Sequence, residues 1–181
     1  MTALDALSFR PAAPGDALCL GVLSTQVFLD TYATQGIRPG LAREVLAQHS
    51  VASYEALLAD PGTTLLVAEC AGHLVGFSQV SDGVAHAMLP GVASAELKRL
   101  YVQAPFAGRG IGRDLLRHAE KAAAARGAET VWLTAWVGNL RALRFYPRHG
   151  YEDIGETVYT FEGESYPNRL FAKRVRHVAA S

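Results

Sequence analysis

The chain has 181 residues, half of them hydrophobic and 19% charged, which suits a globular α/β protein with a sizeable core and excludes a disordered chain. Lys and Arg number 17, as do Asp and Glu, so the net charge is zero. That balance carries no electrostatic footprint for nucleic acid or an anionic membrane surface, though a local nest of amides can still hold a small anion.

In chain order, "LSFRPA" reads as a first strand closed by Pro11 and Pro14. Asp16 is expected to cap a helix over "DALCLGVLSTQVFLDTYA", whose apolar positions recur at helical spacing. Gly36, Pro39 and Gly40 break the pattern, and shorter helices follow in "LAREVLAQHS" and "SVASYEALLAD". "TTLLVAEC" and "HLVGFSQV" read as a hairpin turned by "AGH", and a small-residue loop occupies 81–93. "SAELKRLYV" is a strand, and the helix after it ends near Arg126 with Gly127 as its C-terminal cap. "ETVWLTAWV" is another strand, "NLRALRFYPRH" a helix stopped by Gly150, and two further strands pass near Val158 and Phe171. There are no repeats and no linker, so residues 1–181 read as a single domain with one mixed sheet covered by helices.

Cys19 and Cys70 make neither a disulfide framework nor a metal set and are expected to be buried, reduced thiols. The six histidines (His49, His73, His86, His118, His149, His177) lack ligand spacing, so no metal is expected. "MTALDALSFRPAAPGD" does not have the form of a secretory signal, and no apolar run reaches the roughly 20 residues that span a bilayer. The expected location is the cytoplasm.

Three glycines, Gly108, Gly110 and Gly112, stand where the helix after "LYV" begins. The first N–H groups of a helix lack intrahelical partners and carry partial positive charge, and close approach of a diphosphate excludes a Cβ. The stretch is not a P-loop, which needs a Lys-Ser or Lys-Thr pair, and it lacks the full GxGxxG and acidic partner of a dinucleotide site. A glycine-rich connection without a ligand is the other reading of these residues alone.

About thirty residues on, "NLRALRFYPRHGY" has the form N-x-x-A-x-x-F-Y-x-x-x-G-Y. With "RGIG" ahead of it, the chain resembles the GNAT superfamily of acetyl-CoA-dependent N-acetyltransferases over about Glu96 to Val158, and more weakly along its length. The resemblance implies a mixed, mostly antiparallel α/β sheet of six or seven strands, with helices on both faces and two central strands splayed apart. It also implies that the amides of Arg109, Gly110, Ile111, Gly112 and Arg113 hold the CoA diphosphate, while the main chain of Leu100, Tyr101 and Val102 pairs with the pantetheine arm. Asn139 would contact the cofactor and Tyr146 would stand near the thioester sulfur. Ala107 replaces the usual Gln or Arg, removing one side-chain contact. Pro147 lacks the N–H that would reach Leu143, which predicts a kink beside Tyr146.

Acetylating an amine requires removing a proton from an ammonium of pKa about 10.4. Strand alternation puts Glu96 on one face with Lys98, Leu100 and Val102, which makes it the candidate base; a carboxylate paired with Lys98 or Arg99 is the competing reading. Tyr146 is the candidate acid for the leaving thiolate, or else a ring packing its helix on the sheet. "VFLDTYATQG" and "ADPGTTLLVAE" resemble the spermidine and spermine branch, so Tyr32 is a candidate substrate-binding residue and a small amine or polyamine the expected acceptor. A protein N-terminus or lysine, or CoA binding without turnover, are the alternatives. Neither nucleic acid nor membrane is an expected partner; similar proteins commonly form homodimers.

Overall fold

The computed structural model describes residues 7–161 and 164–175, so Met1–Ala6 of the stretch read for a leader, and His177, lie outside the described residues. Seven strands and five helices follow one another as β1 (Leu7–Pro11), α1 (Ala17–Tyr32), α2 (Pro39–Gln48), α3 (Val51–Ala59), β2 (Thr63–Cys70), β3 (His73–Asp82), β4 (Ser94–Val102), α4 (Ile111–Ala125), β5 (Thr130–Trp136), α5 (Leu140–Arg148), β6 (Glu152–Phe161) and β7 (Glu164–Arg174). The strands hydrogen-bond in the order β1-β2-β3-β4-β5-β7-β6, a mixed α/β arrangement. The chain forms two compact units, Met1–Gln79 with Arg99–Ala119, and Val80–Lys98 with Glu120–Ser181.

In the first unit β1 runs antiparallel to β2, with Phe9 opposite Ala68. β2 is apolar on both faces because both are covered. Leu65 and Val67 pack with Leu20, Leu23, Tyr54 and Phe77 against α1 and α3, while Ala68 and Cys70 pack with Val75, Ile111 and Leu115 against α4. The β2–β3 turn places Ala71 at φ 51° and Gly72 at φ 79°, the left-handed pair that suits the twist of a two-residue hairpin. Gly76 has no room for a side chain: a Cβ there would lie 2.7 Å from the Tyr101 carbonyl oxygen.

Three local expectations are corrected here. The Asp16 carboxylate does not cap α1; it accepts from the Ala13 N–H at 2.7 Å and pairs with Arg10 at 2.7 Å, a stronger, charge-assisted partner. Pro39 does not break a helix but opens α2 at its first turn, where a missing N–H costs nothing. Cys70 is buried as expected, whereas Cys19 is exposed on the outer side of α1.

In the second unit β5 lies parallel to the start of β4, with Glu96 opposite Trp132, and antiparallel to β7, with Trp132 opposite Ala172. β6 pairs antiparallel with β7 and shifts register between Asp153 and Gly155. Trp132, Leu170 and Ala172 form a core with Val84, Leu89 and Ile154. The Val84 carbonyl accepts from the Trp132 indole at 2.8 Å and from the Ser94 hydroxyl at 2.9 Å, which ties the loop after β3 to this core.

Candidate active site

The first unit carries the glycine turn. β4 ends at Val102, a short 3-10 turn covers Ala104–Phe106, and the chain then passes through Gly108 at φ 76° and Gly110 at φ 85° before α4 begins. Both are left-handed conformations that favour glycine, and a Cβ at Gly108 would meet nothing within 4 Å, so the turn presents open space. Ala107 donates its N–H to the Ala104 carbonyl at 3.1 Å, and Asp114 donates to Gly110 at 3.0 Å. Between them, among the described residues, no main-chain carbonyl accepts from the N–H groups of Arg109, Gly110, Ile111, Gly112 or Arg113. A row of unspent donors at a helix start is what a diphosphate requires.

The side chains around the turn are ordered by their neighbours. The Arg109 guanidinium lies 5.5 Å from the Phe106 ring centroid, and Arg113 pairs with Asp114 at 3.2 Å while remaining well exposed. Ile111 is fully buried, and Leu100 and Val102 pack against the cluster it belongs to, so the end of β4 and the turn share one core. Tyr101 projects to the opposite face of β4, onto Phe77 at 5.5 Å in a T-shaped contact. Tyr32, the last residue of α1, is 39% exposed and packs on Phe28 in a tilted contact at 4.7 Å. Burial and the neighbouring Tyr32 push the Tyr101 hydroxyl well above its usual pKa, with Arg99 pulling the other way.

Glu96, Asn139 and Tyr146 belong to the second unit. Glu96 lies on β4 opposite Trp132 and pairs with Lys98 at 3.2 Å, the partner named in its competing reading. Asn139 is the N-cap of α5: its Oδ1 accepts from the Ala142 N–H at 3.1 Å, which leaves the amide NH2 to meet a ligand. Tyr146 lies seven residues on, along the same helix, and is buried against Phe145, Tyr151 and Phe171. Pro147 is the penultimate residue of α5, so its missing hydrogen bond to Leu143 falls in the terminal turn, which is closed by His149 and Tyr151 donating to the Tyr146 carbonyl at 2.9 and 3.2 Å.

Sequence reasoning missed two polar groupings. One joins Arg99, Gln79, Ser24 and His49 in the first unit; the alternation of β4, which puts Arg99 opposite Glu96, was the available signal. The other is Tyr151, whose hydroxyl burial and the Glu120 carboxylate drive well above its usual pKa. Glu120 itself is held by Lys173 at 2.8 Å. Among the described residues no group of His, Cys, Asp or Glu side chains is arranged to hold a metal ion, and no helix is long and apolar enough to cross a membrane.

A model of the acetyltransferase (GNAT) family matches residues 32–151, the span that takes in β4, the glycine turn and α5. A protein of Mycobacterium bovis described as an N-acetyltransferase is 30% identical over 119 residues, which is 66% of this chain and 72% of that one. Among solved structures, an N-acetyltransferase of Thermoplasma acidophilum in complex with coenzyme A aligns with a TM-score of 0.73 at 20% identity, over 93% of this chain and 99% of that one. An acetyltransferase of Salmonella typhimurium with acetyl-CoA aligns with a TM-score of 0.67 at 18% identity, over 97% and 98% of the two chains. The likeness to these structures is one of fold.

Proposed function

Because the chain belongs to the GNAT acetyltransferase family, we propose that it moves an acetyl group from acetyl-CoA directly to a small primary amine. The observation that carries the reading is the turn from Arg109 to Arg113, whose N–H groups have no main-chain acceptor and whose glycines leave room for a diphosphate. The residues present fit that group: the amides of Arg109, Gly110, Ile111, Gly112 and Arg113 would hold it, with the Arg109 and Arg113 side chains adding charge. The main chain of Leu100, Tyr101 and Val102 would pair with the pantetheine arm, and the Asn139 NH2 would donate to the donor molecule.

When bound, acetyl-CoA supplies an activated thioester carbonyl and a thiolate leaving group. Glu96 takes a proton from the acceptor ammonium on its carboxylate oxygen, directly or through water, and Lys98 orients that carboxylate. Tyr146 keeps a proton on its phenol oxygen for the departing thiolate; phenol at pKa about 10 and thiol at about 8.5 are close enough for that transfer. A main-chain N–H from Leu100–Val102 meets the developing negative oxygen. Tyr32, exposed at the end of α1, lines the acceptor side. Small amines include polyamines, whose acetyltransferases the residues around Tyr32 resemble.

The test is thiol release from acetyl-CoA across polyamines, simple alkylamines, amino acids and peptides. Release with at least one small amine and none with peptides is expected. Tight CoA binding with no thiol release on any amine would replace the enzyme with a CoA-binding sensor, and release only with peptides would make the acceptor a protein.

A further inference from the structure

The Arg99 guanidinium is held on the α1/α3 side of β4, on the face opposite Glu96, Leu100 and Val102. Its Nη1 donates to Oε1 of Gln79, a side chain only 1% exposed. The polar groups near it within this apolar core are uncharged. The Ser24 hydroxyl, fully buried, is bound to Nδ1 of His49 at 2.5 Å. The Tyr54 hydroxyl is buried beside Ser24, without a hydrogen bond of good geometry. Tyr101 presents a further hydroxyl, and Arg99 influences the titration of His49, Tyr54 and Tyr101 alike. His49 is held neutral, its pKa lowered to about 4 by burial and then by Arg99.

Among the described residues Arg99 therefore has a glutamine and phenols for neighbours and no carboxylate partner. A half-buried guanidinium without a counter-ion is costly, because burial removes the water that would otherwise stabilise it. Its planar fork of donors matches a carboxylate in two parallel hydrogen bonds, and the buried Tyr54 hydroxyl supplies one more donor. Arg99 also immediately precedes Leu100, where the assigned pantetheine contact begins, and Tyr32 flanks Tyr101 on the exposed side.

We propose that Arg99 is a specificity-determining residue whose guanidinium, with the Tyr54 and Tyr101 hydroxyls, binds a carboxylate on the acceptor, so that the preferred substrate is an amine that also carries a carboxylate, as an amino acid does, and Glu96 takes its proton through water rather than directly. The inference rests on the N-acetyltransferase reading and narrows it. A polyamine would instead bring its second ammonium against an uncompensated positive charge, which disfavours it by like-charge repulsion.

Two measurements test this. The first compares thiol release for L-methionine, L-phenylalanine and L-glutamate, each beside its decarboxylated amine, and for spermidine. At least one amino acid is expected to exceed its decarboxylated partner by tenfold or more in kcat/KM, chiefly through KM, and Arg99→Met is expected to bring that ratio close to one, with Arg99→Lys in between. A wild-type preference for spermidine or for the decarboxylated amines overturns the proposal. The second is calorimetric binding of the same amino acids to the wild type and to both variants. Arg99-dependent binding without thiol release keeps the carboxylate subsite while removing the transferase reading; binding unchanged in Arg99→Met, or no binding of any amino acid, removes the subsite.

Discussion

At the scale of single residues, one phenol and the buried histidine make the sharpest demands. The Tyr146 ring is packed against Phe145, Tyr151 and Phe171, so Tyr146→Phe keeps the packing and removes only the hydroxyl. Turnover is expected to fall at least tenfold with CoA affinity and Tm nearly unchanged; steady-state rates beside calorimetric CoA binding check this, and an unaltered rate would leave the ring a packing residue. His49 sets a pH dependence of stability. Its folded pKa is lowered from 6.5 to about 4, so between those values the unfolded chain binds more protons than the folded one. Stability is present in full above about pH 6.5 and is lost as pH falls towards 4, by on the order of 3 kcal/mol at full extent. Urea unfolding between pH 7 and pH 4.5 is expected to show that loss and His49→Gln to flatten it.

At the scale of elements, the turn into α4 separates steric from electrostatic demands. Gly110 sits at φ 85°, and a Cβ there would lie 3.3 Å from the Arg113 guanidinium. Asn and Asp both tolerate left-handed backbone, so Gly110→Asn tests shape and Gly110→Asp adds a charge where the diphosphate is expected. Calorimetry should find CoA binding weakened by the Asp variant at least tenfold more than by the Asn variant; equal affinities would contradict the assignment of this turn. These features were legible in the sequence because they are local. The same holds for Gly127, which ends α4 with φ 94° and lets Ala128 donate to Ala123 at 3.0 Å, and for Asn139 at the start of α5. Asp16 was misread for a physical reason: a carboxylate beside a proline-rich turn has both a cap and a cation within reach, and only the fold brings Arg10 to it.

At the scale of the whole molecule, long-range order was the part the sequence withheld. Nothing in the spacing of strands places β7 between β5 and β6, and the Arg99–Gln79 bond joins residues twenty apart in the chain. Each compact unit is built from two separated stretches of chain. The first takes Leu100, Tyr101, Val102, Phe106, Ile111 and Leu115 into cores otherwise made by residues before Gln79. A fragment of residues 7–79 thus lacks side chains that fill both faces of β2, and it is expected to stay unfolded by circular dichroism and amide exchange, whereas the full chain folds. A cooperatively folded fragment would show that α4 and the end of β4 are dispensable to those cores.

The turn between β2 and β3 carries a further consequence. Ala71 holds a left-handed backbone that strains a residue with a Cβ by about 1 kcal/mol, at an exposed site. Ala71→Asn creates the Asn-Gly pair that such reversals prefer, and differential scanning calorimetry should find a melting point a few degrees higher with catalysis untouched. The protein keeps a margin of thermal robustness that it has not used, and a single codon would be enough to claim it.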